Sequence, residues 1–351
     1  MELQKLIEDT RAVAIITKQE MMPVTGDGGV VFPPTYQDEG SDQPTYNISS
    51  LGNGRNVCTI DSVPSQINRI EGCFATQEPY RKLVPHVVVT AKVTNKKADI
   101  EFKKKVDILE APHRLADATV RFSGKIEGAA KDAFLDFLKG DAMPIARLSP
   151  MSLLFGAWDS HITGVKIPRA FSARIEAENV HDRTRRGYYL AKLPANEINL
   201  ETGAEGKATT LSNIGLDNAG AKGLDGVVCD GRIIREAVAN LIALRDNCKS
   251  QKKEDRELLL RYILGLMLVA QTMPSGGFFR QGCTLVCKGQ PESYIRFADG
   301  SVEPFTLTHT DAIQYAQEQA TAFGVDPKEM SYDFLPELAK EALKKRKKDG
   351  K

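Results

Sequence analysis

The sequence predicts an α+β fold: a ferredoxin-like, RRM-type βαββαβ core enlarged by long insertions. Three observations predict it. Short β-prone runs alternate with amphipathic helical stretches along the chain. The 351 residues are 42% hydrophobic, enough to bury a sizeable core in one large decorated domain or two small ones. The 28 glycines and 17 prolines demand many connecting loops without the bias of a disordered chain. The reading adopted is a single domain over residues 1–351.

Residues 2–9 read as a short helix and 11–17 (RAVAIIT) as the first strand. Residues 21–56 hold ten Gly or Pro in a polar, acidic background, and Phe32, Tyr36 and Tyr46 give the segment something to bury. It reads as an ordered flap rather than a linker. The stretch VCTIDSVPSQINRIE (57–71) then reads as a strand end, a turn and a helix start, with Asp61 or Ser62 as cap. Val63, Ile67, Ile70 and Phe74 recur with helical spacing and form a buried face. Ser62, Gln66 and Arg69 fall on the adjacent stripe beside Ser65 and Asn68. Those donors suit phosphate or ribose, or else belong to a capped surface helix whose Arg69 pairs with Glu71 or a neighbour.

Residues 83–93 are a strong strand in which His86 reads as a hydrogen-bonded core residue, and 92–105 a basic, solvent-facing hairpin. His113 and Arg114 precede a short helix with Leu115 and Ala118 inward, then a strand TVRF. Arg114 and Arg121 could reach phosphate, or Asp117 could neutralise one of them. Residues 128–139 form an amphipathic helix. Ser149 and Pro150 open the helix MSLLF, and Gly156 ends it. Trp158, the only tryptophan, lies just beyond and reads more readily as core than as a stacking platform. The loop carrying Ser160 and His161 leads to a strand over 167–175, with Lys166 and Arg169 beside it. Small residues, hydroxyls and two cations are what close approach to a ribose-phosphate backbone requires. Asp159 reads as the residue that orders this loop, and Asp61 as a cap.

His181–Lys192 is a basic strand, and 194–226 a glycine-rich segment suited to a protruding hairpin. Residues 233–248 and 255–273 read as two long helices packed on the sheet. Gly276, Gly277, Arg280 and Gly282 then form either a glycine-rich loop at a ligand surface or an ordinary helix stop. The strand CTLVCK, a further strand, an amphipathic helix near 311–323 and a basic tail over 340–351 close the chain.

The formal net charge of +1 gives no hint of a polyanion, but its distribution does. Residues 81–125 carry 11 Lys/Arg against 5 Asp/Glu, and 161–192 carry 7 against 3. Residues 1–61 carry 4 against 9, and 286–337 carry 3 against 9. A basic middle and acidic ends would let copies stack along a polyanion through opposite charges; solvated faces of either sign are the plain alternative. The six cysteines show no C-x-x-C pair and read as free thiols in a reducing cytosol. The N-terminus is too acidic for a secretory signal, and the most apolar run is too short to span a bilayer. A cytoplasmic protein with no membrane association is expected. No phosphate-loop or dinucleotide fingerprint, nucleophile elbow or zinc-helix motif occurs, so no cofactor and no metal are expected.

Phe32-Pro-Pro-Thr-Tyr36 followed by IDSVPSQINRIE resembles the opening signature of the CRISPR-associated Cascade backbone subunit of type I-G (formerly I-U) systems, in the repeat-associated superfamily. APHRLADATVR (111–121), SPMSLLFGAWDSHITGVKIPRAFSARIEAENV (149–180) and GGFFRQGC (276–283) are similar to that family too, in the right order. The resemblance implies a palm with finger-like insertions and a thumb, placed by analogy at 194–226 or, in competition, at 21–56. It implies guide-RNA binding by Ser62, Gln66, Asn68, Arg69, Arg114, Ser160, His161, Lys166, Arg169, Gly276, Gly277 and Arg280. His161 departs from the pattern, since family members tend to carry Arg there. The implied role is a non-catalytic backbone that polymerises on guide RNA, with other Cascade subunits, and meets target DNA only through the guide. The aromatic pattern of true RRMs is missing, so contacts should fall mostly on the sugar-phosphate backbone. The competing expectation is a ribonuclease of the same superfamily, with Asp61 or Asp159 holding a metal.

Overall fold

The computed structural model describes residues 3–37, 44–193, 211, 216 and 218–348. A short helix α1 (Lys5–Glu8) leads into β1 (Ala12–Pro23), longer than the first strand predicted because alternation continues through Lys18, Gln19, Glu20 and Met21. The predicted flap holds a small hairpin, β2 (Thr35–Gln37) with β3 (Pro44–Tyr46), and the edge strand β4 (Ile48–Gly52), before β5 (Arg55–Asp61) and α2 (Val63–Thr76). A hairpin of β6 (His86–Asn95) and β7 (Ile100–Asp107) carries the basic run at its outer end. Four helices follow: α3 (Ala118–Arg121), α4 (Lys125–Leu138), α5 (Met143–Leu148) and α6 (Pro150–Phe155). The predicted strand TVRF is therefore helical, its first turn capped by the Asp117 carboxylate on the Thr119 N–H.

The pair β8 (Ala157–Trp158) and β9 (Lys166–Ile167) precedes β10 (Phe171–Glu178), so the strand predicted over 167–175 is broken at Pro168, which has no N–H to donate. The long hairpin β11 (Val180–Tyr189) and β12 (Ala219–Cys229) comes next; the candidate thumb tip between them lies mostly outside the described residues. The predicted helix over 233–248 is instead β13 (Ile233–Asn240) and a short α7 (Leu241–Asn247). The reason is period two: Ile233, Arg235, Ala237 and Ala239 all face inward, and the strand pairs with both β1 and β10. Then come α8 (Lys253–Thr272), β14 (Gly277–Arg280), β15 (Cys283–Cys287), β16 (Glu292–Phe297), β17 (Val302–Pro304), α9 (His309–Phe323) and β18 (Glu329–Asp333). The basic tail is helical as far as it is described, in α10 (Pro336–Lys348).

The main sheet runs β14-β15-β1-β13-β10-β5-β4, with β16 also on β1. The last core strand, β15, lies beside the first, and the middle pair, β13 and β10, follows on its other side. With α2 to α6 between β1 and β10 and α8 after β13, this is an antiparallel ferredoxin-like core. One face packs Ile15, Phe171, Ala173, Ala237 and Ala239 against the helices. The other carries half-buried charges, with Glu236 bridging Lys18 (3.7 Å) and Arg174 (3.5 Å). A second, smaller core at the far end of the sheet unites Met21, Val31, Tyr46, Ile60, Val227 and Leu285. It docks the flap on the base of the long hairpin, where Gly226 (φ +84°) leaves room for Val30 and Val31 and donates to Tyr46 Oη at 2.9 Å. A second sheet joins β6 to β7 and, in parallel, to β18.

Candidate nucleic-acid interface

Helix α2 is the wall between two clefts. Its start is set by Ser62, whose extended backbone and side-chain oxygen cap the Ser65 N–H (3.4 Å), with Pro64 in the first turn. Ile67, Ile70 and Phe74 are buried as the spacing predicts, while Val63 is half-buried.

Asp61, expected as a cap, is a correction: Ser62 caps the helix, and every bond the Asp61 carboxylate accepts comes from a side chain. It has no exposed surface, and its carboxylate accepts from Ser65 Oγ (2.8 Å), Gln66 Nε2 (2.6 Å), Arg69 Nε (3.1 Å) and Arg280 Nη2 (2.9 Å). Arg69 also donates to the Phe279 carbonyl (2.6 Å), and Arg280 to the Ile60 carbonyl (2.7 Å). These two arginines clamp β14 to the β5–α2 junction before they contact any ligand. Arg69 keeps 37% of its side chain exposed. Gln66, predicted as a surface donor, is buried: its Nε2 serves Asp61 and its Oε1 accepts from the buried Arg235 at 2.9 Å.

On one side of α2, a cavity of about 660 Å³ is lined by Gln66, Arg69, Tyr80, Arg235, Gly276, Gly277 and Phe278. Gly276 and Gly277 form its rim, and Phe278 stands 69% exposed beside them. On the other side, a cleft of about 460 Å³ is lined by Asn68, His113, Trp158, Lys166 and Arg169, with Arg114 beneath.

Arg114 is a correction. It is 6% exposed, and its Nε and Nη2 form a bidentate pair with Glu71 (2.5 and 2.7 Å) while Nη1 donates to the Gly156 carbonyl (3.0 Å). Its left-handed backbone (φ +53°) is held by those bonds and by the Phe155 ring. Burial pushes the Glu71 carboxyl up to about 7 even against the pull of Arg114. Arg114 is an internal strut, and the carboxylate that neutralises it is Glu71, not Asp117. Gly156 (φ +83°) is required here, because a Cβ would meet the Ile167 carbonyl at 2.9 Å.

Trp158 corrects the sequence reading in the other direction. It is 59% exposed, sits opposite Lys166 across the β8–β9 pair, and has the Lys166 ammonium 5.7 Å from its ring centre. The loop between them is shaped by buried Asp159, which accepts from the Ile162 N–H (3.3 Å), the Thr163 N–H (3.0 Å) and Thr163 Oγ1 (2.7 Å). Ser160 and His161 are thereby turned to solvent, and Lys166, Arg169 and Asn68 are exposed as well. Ser62 and Arg280 are half-buried beside the clefts and line neither.

The structure thus brings α2, the 157–169 segment and the Gly276–Gly277 turn to one neighbourhood. Sequence reading missed Arg235 and the exposed Phe278. The alternation of IIREAVAN was the signal for the first; for the second there was none beyond an aromatic next to two glycines.

Among proteins of known kind, residues 15–182 match the family model described as CRISPR-associated protein GSU0053. No curated protein matches the chain. Among solved structures, the chain is similar to one described as "CRISPR RNA-guided surveillance complex, pre-nicking", at 12% identity and a TM-score of 0.31, over 93% of this chain and 98% of that one.

Proposed function

We propose that this protein is the guide-RNA-binding backbone subunit of a type I-G CRISPR surveillance complex, a non-catalytic cytoplasmic component whose copies stack along the RNA. The observation that carries the reading is the exposed Trp158–Lys166 pair, which shares a cleft with Arg169 and Asn68 on the outer side of α2. Cations beside an aromatic face suit a single strand: the cations neutralise phosphates while the ring offers a base a stacking surface. The family match over residues 15–182 supports the same reading.

The ribonuclease alternative is disfavoured by where its candidate carboxylates point. Asp61 accepts from four side chains, two of them guanidiniums, and Asp159 accepts three bonds within its own loop. A carboxylate offers about four lone-pair sites, so Asp61 has none left for a metal.

The test is co-expression with a guide-RNA locus, followed by extraction of bound nucleic acid. RNA of uniform length, carrying several protein copies and released by high salt, is the expected result. Protein that stays monomeric and free of nucleic acid when guide is supplied would overturn the backbone role. Shortening of the guide that depends on a divalent metal and is lost in Asp159→Asn would replace it with the nuclease reading.

A further inference from the structure

We infer that the larger cavity binds a phosphate group, seated on Arg235 at its floor. Arg235 is 3% exposed and yet lines the cavity. Its Nε donates to the neutral amide of Gln66 at 2.9 Å, and among the described residues no carboxylate lies within ion-pair distance of it. A buried cation without a counter-charge is costly, and such groups are paired in folded proteins. Burial pushes the guanidinium down to about 10, so it is still charged at neutral pH.

The neighbourhood adds to the deficit of negative charge. Gln66 links Arg235 to Asp61, but the Asp61 carboxylate is already bonded by Arg69 and Arg280, so it supplies Arg235 with no counter-charge in contact. Among the described residues the one acid on the cavity wall is Glu110, which is exposed and accepts from the Asp107 N–H at 3.3 Å. At the rim, a Cβ on Gly277 would meet nothing within 4 Å, so a side chain placed there would stand in open space. A planar guanidinium matches a phosphate through parallel hydrogen bonds, and Gln66 holds its Nε so that the outer nitrogens remain for the ligand.

The shared chemistry is a phosphoryl group, either the internal diester of a nucleic acid or a free monoester. The experiment uses the full chain and measures its melting temperature against inorganic phosphate, adenosine 5′-monophosphate and a single-stranded RNA lacking terminal phosphates, each at matched chloride ionic strength. A saturable rise with phosphate is expected in the wild type, because a ligand that binds only the native state stabilises it. Arg235→Met should fold and lose the rise. Gly277→Glu, which leaves the buried network intact and sets a carboxylate at the rim, should weaken binding about tenfold or more. Competition by the unphosphorylated RNA assigns the site to a nucleic-acid backbone; competition by the monophosphate alone assigns it to a free nucleotide or phosphate. No rise beyond that given by chloride, or an equal rise in Arg235→Met, overturns the inference. Should Arg235→Met not fold, unchanged affinity in Gly277→Glu overturns it. The inference does not rest on the guide-RNA reading: phosphate binding retained in a protein that ignores guide RNA would separate the two.

Discussion

Asp61 and Trp158 have opposite surroundings, and their replacement should have opposite effects. Asp61 is fully buried and holds two guanidiniums. Asp61→Ala leaves both without their carboxylate, with only a main-chain carbonyl each, and the expected loss is about 3–5 kcal/mol, read from the midpoint of urea unfolding. Trp158 is mostly exposed and touches Lys166. Trp158→Ala should leave that midpoint within about 0.5 kcal/mol, while costing about 1–3 kcal/mol in affinity for single-stranded RNA if a base stacks there. A large stability loss at Trp158 would mean that its ring is covered in solution. The cap at Ser62 and the loop-ordering role of Asp159 were legible in the sequence because each bonds to residues three or four positions away. The Asp61–Arg280 bond spans 219 residues, and nothing local signals it.

At the level of elements, the same distinction separates what the sequence reveals from what it hides. The run from Val63 to Phe74 declares a helix through its cap, its proline and its apolar spacing. Ile233–Asn240 declares its strand only through a weak alternation, which is masked because Glu, Ala and Arg favour helices and Ile234 and Val238 sit four apart. Pairing on both sides in the middle of the sheet overrides that preference. The packing of α8 on α9 gives a prediction with a sign. His309, at the start of α9, bonds Tyr80 Oη (2.9 Å) and Thr272 Oγ1 at the end of α8 (2.9 Å), and burial pushes its imidazole below the usual 6.5. A lowered folded value means that the neutral ring is favoured by folding. Its contribution is therefore complete above about 6.5 and is lost as pH falls through the lower folded value. Urea midpoints measured from about pH 7.5 down to about pH 5 should fall more steeply in the wild type than in His309→Gln. Parallel curves would show that the ring is protonated without cost.

For the whole molecule, net charge says little and placement says more. The chain is nearly neutral, yet the cleft beside α2 exposes Lys166 and Arg169 together. Backbone contacts of this kind read charge and not base identity. Lys166→Ala and Arg169→Ala should each weaken binding by a similar factor for unrelated RNA sequences and reduce the slope of log affinity against log salt by about 0.7. An unchanged slope in both would move the interface elsewhere.

The pairing of β18 with β6 has a consequence for biosynthesis. Strand β6 aligns His86 with Glu329, so its parallel neighbour is made roughly 240 residues later. At ribosomal rates of about 5–20 residues per second, that edge stays unpaired for roughly 10–50 s after it emerges. Val87, Val88 and Val89 lie in that edge. The nascent chain thus carries an apolar, hydrogen-bond-hungry strand until β18 is made, and its yield should depend on how quickly the ribosome reaches the codons for Glu329–Asp333 and on whether a chaperone shields that strand until then.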